Sequence, residues 1–454
     1  MIYDLIVIGG GPAGYLAAER AGRAGLSVML AEKRFIGGVC LNEGCIPTKT
    51  LLYSAKICDG IKYGEKYGVT ADNIRLDHRV VTTRKNKVVK KLVAGVRSML
   101  QKDNVTVVEG VAAIRGRDEE SFFIDIGGTG YRGMRLLVAT GSVPLIPPIP
   151  GIREGIDSGY ILTNSGILDL EEVPRSLVVV GGGIIGLEMA SYFNSARSRV
   201  TVVEMLDRIA GNTDREISEI LMKNYREKGV EFRLESRVTE IRGDSVIYET
   251  GGQQFSAASD KVLVSIGRKP ATEGLGLENI GVELERGRIK TDERGRTNIP
   301  EVYAAGDVNG VSMLAHTAYR EAEVVINTII GKRDTMRYDA IPSVIYTNPE
   351  VASVGETEES ARAKGIDFEA VKLSMMYSGR YAAENEGGDG ICKVLIDKRH
   401  RKIIGVHMIG NYSSEIIYGA GLLIETEMRV DDIRELVFPH PTVSEIIREA
   451  IFEY

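Results

Sequence analysis

Leu5-Ile6-Val7-Ile8-Gly9-Gly10-Gly11-Pro12-Ala13-Gly14 joins a short apolar run to a glycine-rich turn, and an alanine-rich helical stretch follows. A second apolar run, 26–31, ends at Glu32. Strand, glycine turn, helix, strand and acid in that order read as a dinucleotide-binding βαβ unit. Each part has a physical task. Gly9 permits the tight turn, Gly11 lets the backbone approach a pyrophosphate, and Gly14 lets the helix pack closely on the strand. The phosphate sits at a helix N-terminus, where free N–H groups and the macrodipole favour negative charge. Glu32 is placed to bind a ribose hydroxyl.

The pattern recurs. Leu177–Val180 reads as a strand, Gly181-Gly182-Gly183-Ile184-Ile185-Gly186 as the turn, and Val200–Val203 as the strand that ends at Glu204. Glu32 follows Gly9 by 23 positions, and Glu204 follows Gly181 by the same 23. Two complete copies predict two dinucleotide sites, built on Gly9, Gly11, Gly14 and Glu32 and on Gly181, Gly183, Gly186 and Glu204. A carboxylate accepts from a free 2′-hydroxyl and repels a 2′-phosphate, so Glu204 predicts NAD(H) over NADP(H) in the second.

The 454 residues exceed one hydrophobic core, which stops growing at roughly 250–300. The prolines at 144, 147, 148 and 150 form a stiff connection before the second unit. Residues 135–139, followed by Thr140-Gly141, read as a buried strand ending at a ligand-facing turn. Residues 302–305, then Gly306-Asp307, repeat that logic, and Met313-Leu314-Ala315-His316 opens a helical stretch. Asp307 suits a flavin's ribityl and phosphate groups; a helix cap is its plainer reading. From about Ile341 the pattern changes to strands at 343–346, 390–396 and 403–409 with helices between, an α+β segment without a glycine fingerprint.

A formal charge of −6 lacks the basic footprint of a nucleic-acid binder. No apolar run approaches the ~18–20 residues of a membrane helix. Met1-Ile2-Tyr3-Asp4-Leu5 is neither a signal nor an Arg-rich transit peptide, so a cytoplasmic protein, or a mature chain already trimmed, is expected, with no membrane and no nucleic-acid partner. Four cysteines (40, 45, 58, 392) are too few for a disulfide scaffold.

Cys40 and Cys45 flank Leu41-Asn42-Glu43-Gly44, and Ile46-Pro47-Thr48-Lys49 follow. Five residues of regular helix rise about 7.5 Å, beyond the ~4.4–6.8 Å Cα separation of a disulfide. A bridge is possible only if the segment bends, and Gly44 permits that. Unrelated cysteines or half a metal site are the alternatives. No Cys/His pair at ligand spacing lies nearby, so no metal is expected.

The run 37–49, Gly-Gly-Val-Cys-Leu-Asn-Glu-Gly-Cys-Ile-Pro-Thr-Lys, resembles the redox-active signature of the flavoprotein pyridine-nucleotide disulfide oxidoreductases, most closely their dihydrolipoamide dehydrogenase branch. Ala139-Thr140-Gly141, Gly267-Arg268-Lys269-Pro270, Ala305-Gly306-Asp307 and His440-Pro441-Thr442-Val443-Ser444-Glu445 match in family order. The resemblance implies an α/β fold: two Rossmann-like dinucleotide-binding domains and a C-terminal α+β dimerisation domain. It implies an FAD-binding domain at 1–149 and 273–340, an NAD-binding domain at 150–272 and an interface domain at 341–454.

It also implies roles. Cys40 would be the interchange thiol and Cys45 the thiol nearest the flavin, joined as a redox disulfide. Lys49 would lie beside the flavin ring, paired with Glu188. Glu32, Ala112, Thr140, Gly141, Asp307, Met313, Ala315 and His316 would hold FAD. Gly181, Gly183, Glu204, Val238 and Gly267 would line the NAD site. His440 would be the acid/base for the thiols, oriented by Glu445, and would face the cysteines of the other subunit of a homodimer. The implied reaction oxidises dihydrolipoamide, carried by a lipoyl-bearing protein of a 2-oxoacid dehydrogenase or glycine cleavage system, and reduces NAD⁺.

Other readings stay open. Thr442-x-x-Glu445 also fits a capping box. A glutathione-type NADPH reductase would want arginines where Glu204-Met205-Leu206-Asp207 stands, and a non-catalytic complex subunit would need no flavin. The chain also departs from the pattern at Val39, Glu43, Ala112, Thr317, Tyr319 and Arg320. Glu43 places a negative charge between the cysteines, where it is expected to disfavour thiolate.

Overall fold

A computed structural model describes residues 1–454, which fall into two compact units. The first comprises 1–50, 82–145 and 267–337; the second comprises 51–81, 146–266 and 338–454.

In the first unit five parallel strands run in the order Val302–Ala304, Leu136–Val138, Leu5–Ile8, Val28–Glu32, Thr106–Glu109. The central strand is apolar at every position because both of its faces are covered. Leu5 and Val7 point into a core shared with Ala17, Ala18 and Ala21 of helix Pro12–Arg23 and Ala318, Ala322 and Val325 of helix Ala315–Ile329. Ile6 and Ile8 point the other way, into a core built with Ala112, Ile114, Phe122 and Ile124 of a small second sheet. That sheet runs Ile2–Tyr3, Thr129–Gly133, Phe122–Ile126, Ala112–Arg117.

The second unit repeats the design. Its parallel order is Ile161–Leu162, Lys261–Val264, Ser176–Val180, Arg199–Val203, Glu231–Arg233. Leu177 and Val179 pack with Leu187 and Ala190 of helix Ile184–Ser195. Val178 and Val180 pack with Val238, Val246 and Tyr248 of an antiparallel meander. The same unit carries a five-stranded antiparallel sheet ordered Ser343–Ile345, Val351–Gly355, Lys402–Ile409, Ile391–Asp397, Phe368–Ser374. Helices Ser413–Glu425 and Glu445–Glu453 contribute Ile417, Ala420, Ile446 and Ala450 to its core. No helix is long and apolar enough to cross a membrane.

Candidate active site

In the first unit the ligand-facing residues collect at the carboxyl ends of neighbouring strands, where open α/β sheets bind ligands. Gly9 follows Leu5–Ile8, Glu32 ends its strand, Thr140 follows Leu136–Val138, and Asp307 follows Val302–Ala304. Gly9 has φ +110°, and a Cβ there would lie 2.3 Å from the Ala139 carbonyl oxygen. A Cβ on Gly14 would lie 1.7 Å from the Gly9 carbonyl oxygen, so helix and turn touch backbone to backbone. Gly11 differs: the nearest atom to its Cβ position is Gly38 Cα at 3.9 Å. The front of this turn is open at the height of a phosphate.

Glu32 accepts from Gly10 N–H through Oε2 and from Arg34 N–H through Oε1, both at 2.7 Å. The second unit copies this. Glu204 Oε2 accepts from Gly182 N–H at 2.6 Å and Oε1 from Leu206 N–H at 2.8 Å. Gly181 has φ +101°, the Gly186 Cβ position is 2.3 Å from the Gly181 carbonyl oxygen, and that of Gly183 meets only Ser265 O at 4.0 Å. A carboxylate has about four acceptor positions, so each acid retains capacity for ribose hydroxyls. Both cradles fit a dinucleotide.

Other expected flavin residues surround the first cradle. Thr140 Oγ1 donates to Ala271 O at 2.7 Å, and Gly141 (φ +72°) accepts from Ala271 N–H at 2.9 Å. Asp307 accepts from Ser142 Oγ at 2.5 Å, and Ser142 Oγ in turn accepts from Arg268 Nε at 2.7 Å. Asp307 is the first residue of a short 3₁₀ turn whose cap position is Gly306. Ala112 is buried at the start of its strand. Met313 and His316 are exposed and Ala315 half-buried, at the mouth of helix Ala315–Ile329. In the second unit Val238 lies on the meander strand whose first residue, Ser236, donates its N–H to Glu204 O at 2.9 Å. Gly267, where the chain passes from the second unit to the first, accepts from Leu145 N–H at 3.0 Å.

The redox segment is seated on the first fingerprint. Gly37 N–H donates to Gly10 O at 2.8 Å, and a Cβ on Gly38 would meet Gly11 Cα at 2.6 Å. Helix Gly38–Glu43 carries Cys40; it breaks at Gly44, and a new helix, Cys45–Lys62, starts on Cys45 itself. The break brings the sulfurs together: the Cys40 thiol is hydrogen-bonded to Cys45. Gly44 fits because a side chain there would crowd Val39, with its Cβ 3.0 Å from the Val39 carbonyl oxygen. Cys45 sits at a helix N-terminus, the end that favours an anion. The bond to Cys45, then burial, then the charge on Cys45 hold Cys40 far above the ordinary thiol range, while Lys49 acts in the opposite direction.

Glu43, expected to disfavour thiolate, is paired: Arg34 Nη1 donates to Glu43 Oε2 at 3.2 Å and Nη2 donates to Oε1. Other departures have partners too. Tyr319 shares a hydroxyl–hydroxyl hydrogen bond with Tyr15, Arg320 pairs with Asp334, and Thr317 Oγ1 bonds Ser312 Oγ at 2.9 Å. Burial first, and in lesser part the sulfurs of Cys40 and Cys45, push both phenols upward.

In the second unit His440 Nδ1 lies 2.8 Å from Glu445 Oε1, and the imidazole is 77% exposed. Glu445 Oε2 accepts from Thr442 N–H at 2.9 Å, but Thr442 Oγ1 donates to Pro439 O and the helix is capped at Ser444. Only half of a capping box forms. Thr442 N–H first, and His440 after it, hold the Glu445 carboxyl below its usual range. Glu188 is buried and accepts from Tyr346 N–H at 3.0 Å. Sequence reading missed Glu321, which is buried and accepts from Gly306 N–H at 2.6 Å and Asn309 Nδ2 at 3.0 Å, fixing the Asp307 turn. It also missed Arg268 as a group in its own right: burial presses it downward, while Asp307, Glu43 and Cys45 act the other way. The family motif carried Arg268; nothing local marks Glu321.

Paired cysteines on a broken helix, beside one of two dinucleotide cradles, define a disulfide oxidoreductase. The chain belongs to the pyridine nucleotide-disulphide oxidoreductase family, which matches residues 3–322, with the family's dimerisation domain at 341–451. FAD and NAD are its cofactors. Among relatives, it is 39% identical to dihydrolipoyl dehydrogenase of Mycoplasma pneumoniae over 100% of both chains. It is 38% identical to a mitochondrial dihydrolipoyl dehydrogenase of Arabidopsis thaliana, over 98% of this chain and 89% of the relative. Among solved structures, the HOCl-induced flavoprotein disulfide reductase RclA of Escherichia coli is similar at TM-score 0.86 and 29% identity, over 99% of each chain.

Proposed function

We propose that the chain oxidises protein-bound dihydrolipoamide to lipoamide and reduces NAD⁺ to NADH. The hydrogen-bonded Cys40–Cys45 pair on the helix broken at Gly44 is the observation that carries this reading. A substrate thiolate attacks Cys40 Sγ of the oxidised pair; the Cys40–Cys45 bond breaks and the electron pair leaves on Cys45. The second substrate thiol then attacks the substrate's own sulfur in this mixed disulfide; the bond to Cys40 breaks, the S–S bond of lipoamide closes, and Cys40 leaves as the reduced thiol. His440 of the partner subunit takes the substrate proton. Its Nδ1–H donates to Glu445, so Nε2 holds the free lone pair. FAD, when bound, relays the electron pair from the dithiol to the nicotinamide.

The same proposal assigns Lys49 as the cation beside the flavin ring and Glu188 as its counter-charge. Glu32, Ala112, Thr140, Asp307 and Ala315 hold FAD; Gly181, Gly183, Glu204, Val238 and Gly267 hold NAD. It divides the chain into FAD (1–149, 273–340), NAD (150–272) and interface (341–454) domains, in a cytoplasmic homodimer that serves a lipoyl-bearing multienzyme complex.

The test compares dihydrolipoamide and glutathione as dithiol and thiol donors, with NAD⁺ and NADP⁺, for the intact protein and Cys45→Ser. The reading expects NAD⁺-linked oxidation of dihydrolipoamide, lost in Cys45→Ser with the yellow flavin retained. Full turnover by Cys45→Ser, or a preference for glutathione with NADP⁺, overturns it.

A further inference from the structure

Helix His78–Lys102 is the longest in the chain and holds eight Lys and Arg residues and no acid, in a protein of net charge −6. Its portion in the first unit, from Thr82 onward, exposes Arg84, Lys87, Lys90, Lys91 and Arg97. Arg97 pairs with Glu109 at 2.7 Å. Lys87, Lys90 and Lys91 have no counter-charge. Lys87 stands three positions from Arg84 and from Lys90 and four from Lys91, so like charges meet along one face. That arrangement weakens the helix, and a use outside the helix accounts for it.

A groove of about 330 Å³ runs along the same face, lined by Lys90, Val93 and Arg97 and closed on one side by Asn42. Asn42 belongs to the segment between the redox cysteines, where its side chain donates to Gly38 O at 2.9 Å and Ile36 O at 3.1 Å. The basic face therefore borders the helix that carries Cys40.

We propose that this face docks the acidic surface of the protein domain that carries the dithiol. The inference rests on the function proposed above and adds the partner's chemistry. The stripe from Arg84 to Arg97 spans about 20 Å of helix, too long for a small disulfide and suited to a domain surface. A second copy of this chain placed symmetrically on the face would set lysines against lysines. Positive potential beside the redox turn steers an anionic partner and raises its encounter rate.

The probes are free dihydrolipoamide, which is neutral, and a reduced lipoylated carrier domain with an acidic face, each assayed at about 20 and 300 mM salt. The combined variant Lys87→Glu/Lys90→Glu/Lys91→Glu is expected to raise KM for the carrier domain about tenfold, with kcat and free dihydrolipoamide turnover unchanged. In the unaltered protein, kcat/KM for the carrier falls several-fold with salt while that for free dihydrolipoamide holds. The milder triple change to Gln gives an intermediate KM and covers a reversal that fails to fold. Normal turnover of both probes by the reversed variant, or its dissociation to monomers, overturns the inference and leaves the proposed function standing. If the unaltered protein oxidises neither probe, the functional reading falls first and this inference with it.

Discussion

Arg34 grips Glu43 with two guanidinium nitrogens while its own backbone N–H donates to Glu32. One residue thus ties the carboxylate of the first dinucleotide cradle to the segment between the redox cysteines. Arg34→Ala leaves the Glu43 charge uncompensated beside the thiols. The apparent pKa of the reduced pair, read as alkylation rate against pH, is expected to rise by roughly half a unit to one unit. The effect is modest because the Arg34 side chain is 56% exposed. Arg34→Ala/Glu43→Gln should return to the original profile. A single variant with an unmoved profile would show that Glu43 does not act on the sulfurs.

Arg320 likewise has a defined counterpart. Asp334 accepts from Arg320 Nη1 at 2.9 Å and Nη2 at 2.5 Å, and from Asn327 Nδ2 at 2.8 Å. Arg320 first, and Asn327 with it, lower the Asp334 carboxyl from 3.8 to about 2. A depressed acid adds stability above its unfolded value and loses it as pH falls through the folded one. Asp334→Asn should therefore cost about 1 kcal/mol near pH 7, an amount reduced for the exposure of Arg320. In urea titrations the difference between the two proteins should shrink from about pH 4 downward and vanish below about pH 2. A difference that persists there would assign the effect to packing.

The two fingerprints were legible because their chemistry is local: glycine, acid and apolar run stand within some thirty residues, and sterics at Gly9, Gly14, Gly181 and Gly186 leave little choice. Helix geometry made a bend at Gly44 the condition for any bridge between Cys40 and Cys45, and the family resemblance supplied the pairing. Pairs distant in sequence were not. Tyr15 and Tyr319 are 304 positions apart, Ser142 and Asp307 165. Such contacts leave no period or spacing to read; the packing of helix Pro12–Arg23 on helix Ala315–Ile329 creates the first, and the meeting of strand-end turns the second. The charge of Glu43 is written in the sequence, but its guanidinium partner nine positions earlier carries no motif and was not read.

The second cradle separates steric need from ligand need. A methyl on Gly186 would meet the Gly181 carbonyl oxygen at 2.3 Å, whereas one on Gly183 has only Ser265 O at 4.0 Å. Gly186→Ala should lower Tm by more than about 5 °C, as overpacking between helix and turn does. Gly183 has φ −77° at a helix N-cap, where Gly to Ala costs only modestly. Gly183→Ala should hold Tm within a few degrees and raise KM for NAD⁺ by about tenfold or more, since the added methyl occupies the pyrophosphate's approach. Calorimetry and initial-rate kinetics on the pair decide this. An unchanged KM in Gly183→Ala would move the nicotinamide dinucleotide elsewhere.

His440 depends on Glu445 for more than charge. The carboxylate accepts Thr442 N–H on one oxygen and faces Nδ1 of His440 with the other, so the imidazole is anchored to a fixed backbone point. Thr442 first and His440 second hold this acid below its ordinary 4.5. The anchor is therefore complete above about pH 4.5 and is lost as pH falls below it. Glu445→Gln keeps an acceptor for one bond but can offer an N–H to Nδ1, which releases the tautomer that leaves Nε2 basic. We expect kcat for dihydrolipoamide to fall on the order of 10²-fold, with KM near its original value and the flavin retained. His440→Gln should fall at least as far, and the double variant no further than His440→Gln alone, because Glu445 acts through the imidazole. Additive losses in the double variant would give Glu445 a separate task and detach it from the proton step.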